Sequence, residues 1–260
     1  MILGLLLTLG MVLLGIITQV TELSQLLYFI DPGSIMVVLG GSLGSTILSM
    51  PFQRFLQAGE ILAVAFRPRK QELRAVVDAL VAMSETARRD GVLALEPMIP
   101  QIRDPYLARG LQLAVDGTDL EAIESTLSSE ISQLEARHES GRAFLDLFAR
   151  YAPAYGMLGT VIGLVLMLAP PEAHAQSANA LGAQVHILRG MALALITTFY
   201  GLLLANAVAL PLADRLAEMT RAETLRMEIV LAGLHAIQSG DNPRVVAQKL
   251  RVFLPPTLRN

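Results

Sequence analysis

The sequence predicts an all-α, polytopic membrane protein with four transmembrane helices and a helical cytoplasmic domain formed partly by extensions of the third and fourth spans. Three observations lead there. Of 260 residues, 53% are hydrophobic and only 17% charged, against about a quarter charged in average soluble domains. The charge comes in blocks: no Lys or Arg precedes Arg54, and between Arg150 and Arg215 the sole basic residue is Arg189. Cysteine and tryptophan are absent and the net charge is −3. Such a chain is not an ordinary water-soluble enzyme, a nucleic-acid binder or a disulfide-stapled secreted module.

A spanning helix needs roughly 20 mostly apolar residues to cross a hydrocarbon core of about 30 Å. Four stretches lack Asp, Glu, Lys and Arg: Met1–Thr21, Pro32–Gln53, Tyr151–Pro171 and Gly190–Ala213. The first has no basic flank, and Gln19-Val20-Thr21 makes a poor cleavage site, so it reads as a retained span rather than a signal peptide. The second carries Gly33, Gly40, Gly41 and Gly44. These weaken helical propensity but allow close helix contact in lipid.

Basic residues set the orientation. Residues 54–150 hold 12 of the 20 Lys/Arg and residues 215–260 hold 7. The connectors Glu22–Asp31 and Glu172–Arg189 hold only Arg189. The positive-inside rule puts both termini in the cytoplasm. The chain then divides into residues 1–53 with spans one and two, 54–150 as a cytoplasmic helical domain, 151–213 with spans three and four, and 214–260 as cytoplasmic C-terminal helices.

Within the cytoplasmic segments, Leu73, Val76, Val77, Leu80 and Met83 form one face of a helix over Gln71–Asp90, which Gly91 can end. Pro97 and Pro100 break the chain again. Asp104-Pro105 supplies a cap and first-turn proline for a short helix ending at Asp116-Gly117. Thr118-Asp119-Leu120-Glu121 is a capping-box pattern. It opens a long helix bearing Leu120, Ile123, Leu127, Ile131 and Leu134, which runs into span three. Leu212–Gln238 continues span four in the same way. Ser239-Gly240-Asp241 closes it, and Asn242-Pro243 caps a last short helix.

Spans three and four carry the candidate site. Gly159 and Gly163 are four apart, as are Gly190 and Ala194, so both helices offer close-packing faces. Thr160, Thr197 and Thr198 are polar residues within these spans. A single threonine in such a helix commonly bonds back to its own backbone; three on two packed helices also fit a polar pathway. No interior Asp, Glu or His accompanies them, although ion pathways are usually marked by such groups. Asp31 lies at the outer edge of span two. An ion-conducting reading therefore requires a carboxylate from another chain. Pro153 and Pro211, near the cytoplasmic ends of these spans, read either as local kinks or as hinges. No metal cluster, catalytic constellation or phosphate loop is visible, so the chain reads as no enzyme and needs no cofactor.

The run Tyr151-Ala-Pro-Ala-Tyr-Gly-Met-Leu-Gly-Thr-Val-Ile-Gly-Leu, then Met191-Ala-Leu-Ala-Leu-Ile-Thr-Thr-Phe-Tyr-Gly-Leu-Leu-Leu-Ala-Asn, resembles the MotA/PomA family of flagellar motor stator A-subunits. So do Asp31-Pro-Gly-Ser-Ile, Asp90-Gly-Val-Leu-Ala-Leu-Glu, Val115-Asp-Gly, Arg137-His138 and Asn242-Pro-Arg, in order over essentially the whole chain. The resemblance implies a homo-pentamer around a pair of single-span MotB/PomB-type subunits in the bacterial inner membrane, among its lipids. The partner would supply the ion-binding Asp, the pair would conduct Na+ or H+, and the ring would turn a rotor protein of FliG type. It implies ion-path roles for Thr160, Thr197 and Thr198, conformational roles for Pro153 and Pro211, and rotor contact through Arg88, Arg89, Asp90 and Glu96. The chain departs from the family pattern in the connector 169–188, with His174 and His186. It departs also at Arg189-Gly190, where Gly-Pro is expected, and at Pro97, where an acid is common. An ExbB/TolQ-like proton-channel subunit and a passive membrane scaffold are the competing expectations.

Overall fold

The computed structural model describes residues 2–20, 22–66, 73–169 and 180–258. Pro170, Pro171, His174 and most of the unusual connector lie outside the described residues. Among those described there is no strand. The helices are α1 (Ile2–Gln19), α2 (Pro32–Ile35), α3 (Gly41–Leu48), α4 (Phe52–Ala65), α5 (Leu73–Asp90), α6 (Pro105–Val115), α7 (Leu120–Leu168), α8 (Ala180–Leu203), α9 (Leu210–Gln238) and α10 (Pro243–Arg251). Three helical runs are long and apolar enough to cross a membrane: Gln25–Leu48, Leu120–Leu168 and Gln184–Gln238. Leu3–Gln19 is a shorter apolar helix.

The breaks follow local chemistry. Gly91, Gly117 and Gly240 take positive φ at the ends of α5, α6 and α9, a backbone region glycine enters without a Cβ clash. Asp104 and Asn242 cap α6 and α10, accepting from the backbone N–H of Tyr106 and Arg244, with proline as first helical residue in each. The first carbonyl to accept a bond in α7 is that of Asp119, one residue beyond Thr118. The glycine-weakened second span is helical but not uniformly α: a π turn, Met36–Gly40, separates α2 from α3. A second π turn, Leu204–Ala209, joins α8 to α9. It ends two residues before Pro211, whose ring presses on the carbonyl four residues back in a regular helix.

The chain forms two compact units. One comprises Met1–Arg67 and Ser140–Leu216. Its core is small and alanine-rich, with Ala149, Ala152, Ala205, Ala209 and Ala213 against Leu145 and Phe148. The other comprises Pro68–Glu139 and Ala217–Asn260. It has a leucine core, with Leu80, Leu95, Leu111, Leu127, Leu234 and Leu250 inaccessible or nearly so. The helical faces read from periodicity supply that core: Val77, Leu80 and Met83 of α5, and Ile123, Leu127 and Ile131 of α7, are all buried. Helix α7 is 49 residues long and continues through Pro153. At about 1.5 Å per residue it exceeds twice the ~30 Å hydrocarbon thickness, so part of it projects into water.

Candidate functional site

In the first unit, α7 and α8 approach through small residues. A Cβ added at Gly163 would lie 2.5 Å from the Gly190 carbonyl oxygen and 2.8 Å from the Ala194 nitrogen. One added at Gly201 would lie 2.5 Å from the Ala152 carbonyl oxygen and 3.1 Å from Pro153 Cα. Gly156 meets Thr197 and Thr198, and Gly159 meets the Thr197 side chain. Without side chains between them the backbones touch, which is the use of small residues at helix contacts in lipid.

That approach brings two of the three threonines together. The hydroxyls of Thr160 and Thr198 are 2.6 Å apart. Thr160 also lies 3.2 Å from the Gly156 carbonyl and 3.1 Å from that of Ala194. Thr198 reaches the same two carbonyls at 3.4 and 3.2 Å. The two hydroxyls thus face each other beside two carbonyls, of which that of Ala194 also accepts from Thr197, and the hydroxyl oxygens bring lone pairs to the contact. Both threonines are half-buried, leaving one side of the cluster accessible. Thr197 is different. It is fully buried, and its hydroxyl donates to its own helix, 2.9 Å to Leu193 and 3.0 Å to Ala194.

Pro153 sits opposite Gly201 on α8, and Pro211 follows the π turn in α9. Asp31 caps α2: its carboxylate accepts from the Ser34 N–H at 2.7 Å and the Ser34 hydroxyl at 2.6 Å. The stretch before that cap is held by Tyr200 of α8, whose hydroxyl donates to the Phe29 carbonyl and accepts from the Asp31 N–H. A further pair of bonds ties α3 and its C-cap residue Ser49 to α7. Tyr155 meets Ser45 at 2.8 Å and Tyr151 meets Ser49 at 2.7 Å, with the Tyr155 ring against Gly41. The sequence by itself gave these tyrosines no partner. The matching four-residue spacings of Ser45/Ser49 and Tyr151/Tyr155 were the available signal.

The charged candidates belong to the second unit. Arg88 and Arg89 occupy the last turn of α5, where cations complement the helix dipole. Arg89 pairs with Asp90 at 2.9 Å, and that hydrogen-bonded carboxylate raises the guanidinium pKa further. Glu96 lies on the 3-10 segment Val92–Gln101 that follows Gly91. All four residues are exposed. No cluster of three or more metal-ligating side chains occurs among the described residues.

An all-helical protein with membrane-length apolar helices, close-packed around intramembrane hydroxyls, belongs to the class of polytopic membrane proteins. A family model described as the MotA/TolQ/ExbB proton channel family matches residues 98–229. Motility protein A of Treponema phagedenis is 38% identical over 223 residues, 86% of this chain and 82% of that protein. Chemotaxis protein PomA of Vibrio alginolyticus is 35% identical over 226 residues, 87% and 85% of the two chains. Among solved structures, the flagellar MotAB stator complex from Bacillus subtilis superposes with a TM-score of 0.85 at 26% identity, covering 100% of this chain and 97% of that one. The C. jejuni MotAB structure gives 0.83 at 24% identity, over 98% and 95%, a likeness of fold. The chain belongs to the MotA/TolQ/ExbB proton channel family, as a flagellar stator subunit of the motility protein A kind and not an enzyme.

Proposed function

We propose that this chain is the A-type stator subunit that, with a MotB/PomB-type single-span partner, forms a cation path and converts ion flow into rotor torque. The observation that carries the reading is the Thr160–Thr198 pair: two facing hydroxyls beside the Gly156 and Ala194 carbonyls, on spans that contain no carboxylate of their own. Lone pairs of this kind stabilise a passing cation, but neutral oxygens alone leave its charge uncompensated. The partner's intramembrane Asp supplies the counter-charge, approaching the accessible side of the Thr160–Thr198 pair. Thr197 shapes the contact with Gly159 beside the path.

In this reading the chain spans the bacterial inner membrane four times with both termini in the cytoplasm. Several copies, five in the family to which it is similar, surround the partner pair. Residues 54–150 and 214–260 face the cytoplasm, and Arg88, Arg89, Asp90 and Glu96 meet a rotor protein of FliG type. Pro153 and Pro211 relay the change of state. The transported ion is Na+ or H+. Swimming speed against external sodium at fixed pH, with this subunit and its partner as the only stator, separates the two. Speed rising with sodium identifies sodium, and independence identifies protons. Motility that survives deletion of the subunit, or failure to form a complex with a MotB-type partner, overturns the stator reading in favour of an ExbB/TolQ-like role or a scaffold.

A further inference from the structure

We infer that Tyr200 is a positioning residue of the ion path: its hydroxyl fixes the rotation of α8 that turns the Thr198 hydroxyl toward Thr160. The inference rests on the ion-path reading above and adds to it a residue outside the threonine pair. It starts from a fault in the backbone. Gln25–Leu48 is long and apolar enough to cross a membrane, yet its helix is broken. The 3-10 helix Leu23–Phe29 ends there, and Ile30 and Asp31 are both extended before α2 begins at Pro32. Pro32, three residues after Phe29, has no N–H, so no further 3-10 bond can reach the Phe29 carbonyl. The Asp31 N–H likewise belongs to neither helix. Unpaired backbone groups are costly where water is excluded. Both of these end on one atom, Tyr200 Oη, which donates to the Phe29 carbonyl and accepts from the Asp31 N–H at 3.2 Å. A phenol carries one donor together with acceptor lone pairs, which is what the two groups require; phenylalanine supplies neither. The Phe199 ring meets Phe29 edge-on, centroids 5.9 Å apart, so consecutive residues of α8 hold the ring and the carbonyl of Phe29.

Tyr200 stands two residues after Thr198, about 200° around the helix, so the two side chains leave α8 on nearly opposite sides. Thr198 reaches α7 through Thr160 at 2.6 Å. Helix α7 in turn reaches α3 through Tyr155 and Ser45 at 2.8 Å. Helices α2 and α3 belong to one helical run, joined by the π turn Met36–Gly40, and Tyr200 holds the head of that run. The bonds therefore close a ring: α8 to α7, α7 to α3, and the head of α2 back to α8. Turning α8 about its axis to take Thr198 away from Thr160 pulls Tyr200 off the Phe29 carbonyl. Gly163, Gly190 and Gly201 set how closely α7 and α8 approach; the bonds on the two sides of α8 set its rotation.

The chain has no cysteine, so a pair of introduced thiols reports the Thr160–Thr198 geometry directly. The test uses the full chain with its partner subunit, in motile cells where it is the only stator and in membranes from those cells. In a Thr160→Cys/Thr198→Cys background, oxidation with copper phenanthroline joins the two positions. Mass spectrometry of digests counts the joined fraction per chain, independently of membrane level. Tyr200→Phe lowers that fraction by roughly threefold or more, the range set by loss of one net hydrogen bond. Tyr200→4-fluorophenylalanine, which fills the hydroxyl's volume without a donor, does the same. Tyr200→4-aminophenylalanine, whose amine can donate and accept, restores the fraction. With both threonines in place, Tyr200→Phe raises by a similar factor the driving-ion concentration, sodium or proton, that gives half-maximal speed. It adds nothing further to Thr198→Val. An unchanged joined fraction in Tyr200→Phe overturns the inference; a raised half-maximal concentration in Thr198→Val then leaves the ion-path reading standing. A lowered joined fraction with ion dependence unchanged in both Tyr200→Phe and Thr198→Val overturns the ion-path reading, and the inference with it. A shift in Thr198→Val alone shows that the rotation of α8 does not matter to the ion. Slower rotation at an unchanged half-maximal concentration makes Tyr200 a packing residue. Either result overturns the inference.

Discussion

The hydroxyls of Thr160 and Thr198 meet at 2.6 Å across the α7–α8 contact, while Thr197, adjacent in sequence, turns its hydroxyl into its own helix. Successive helical residues differ in direction by about 100°, so only Thr198 faces the Thr160 hydroxyl, although both neighbours reach the Ala194 carbonyl of their own helix. Replacing Thr160 or Thr198 by Val keeps the side-chain outline and removes the lone pairs; each substitution is expected to cut torque at least severalfold. Thr160→Ser should retain most of it. Thr197→Val should be milder than Thr198→Val, measured as rotation of tethered cells at equal membrane levels. Equal losses at the two positions would show that the facing pair is not special.

Gly163 offers a packing test. Its missing Cβ would meet the Gly190 carbonyl and the Ala194 nitrogen, backbone atoms that cannot rotate away. Gly163→Ala should destabilise the helix pair by about 1–3 kcal/mol, the usual cost of overpacking. A lower midpoint in thermal unfolding of the detergent-solubilised complex would record it. Gly44, with nothing within 4 Å of its built Cβ, is the control; Gly44→Ala should be neutral or slightly stabilising because alanine is the better helix former.

Tyr155 and Ser45 are expected to be energetically coupled. Removing either hydroxyl strands the other. The double variant Tyr155→Phe/Ser45→Ala should therefore cost less than the sum of the singles, with a coupling of about 0.5–1.5 kcal/mol. Strict additivity in the thermal midpoints would dissolve the 2.8 Å bond as a stabilising contact.

Tyr106 gives a pH prediction. Burial, then the charges of Glu130, Asp104 and Glu228, hold its hydroxyl well above the usual tyrosine value. It donates to the Leu127 carbonyl at 3.2 Å, which only the protonated form can do. Because the folded pKa is raised, this contribution to stability is complete below about pH 10, the free-tyrosine value, and is lost as pH climbs through the folded value. Tyr106→Phe should cost about 1 kcal/mol at neutral pH and flatten the alkaline fall of the unfolding midpoint. An unchanged alkaline slope in the variant would assign that fall to another group.

Most of the helical plan was legible because it depends on short-range chemistry. The caps at Asp104 and Asn242 and the stops at Gly91, Gly117 and Gly240 are local events. The buried faces of α5 and α7 follow from a 3.6-residue period. The two π turns were not legible. Gly40 and Gly41 and Pro211 announce weakness, yet the form it takes depends on what packs alongside. The Tyr200 clamp on Phe29 and Asp31 joins residues 169 to 171 apart in sequence, and no periodicity reports such a contact.

Composition and charge distribution were enough to establish a helical membrane protein with water-exposed extensions, and the order of motifs was enough for its family. Both rest on properties of sequence alone: apolar stretches long enough for burial in lipid, and the order of residues along the chain. Which hydroxyls face each other, and which merely satisfy their own helix, required three dimensions. That outcome turns on the azimuth of each threonine and on the depth to which Gly156, Gly159, Gly163, Gly190 and Gly201 let the two helices approach.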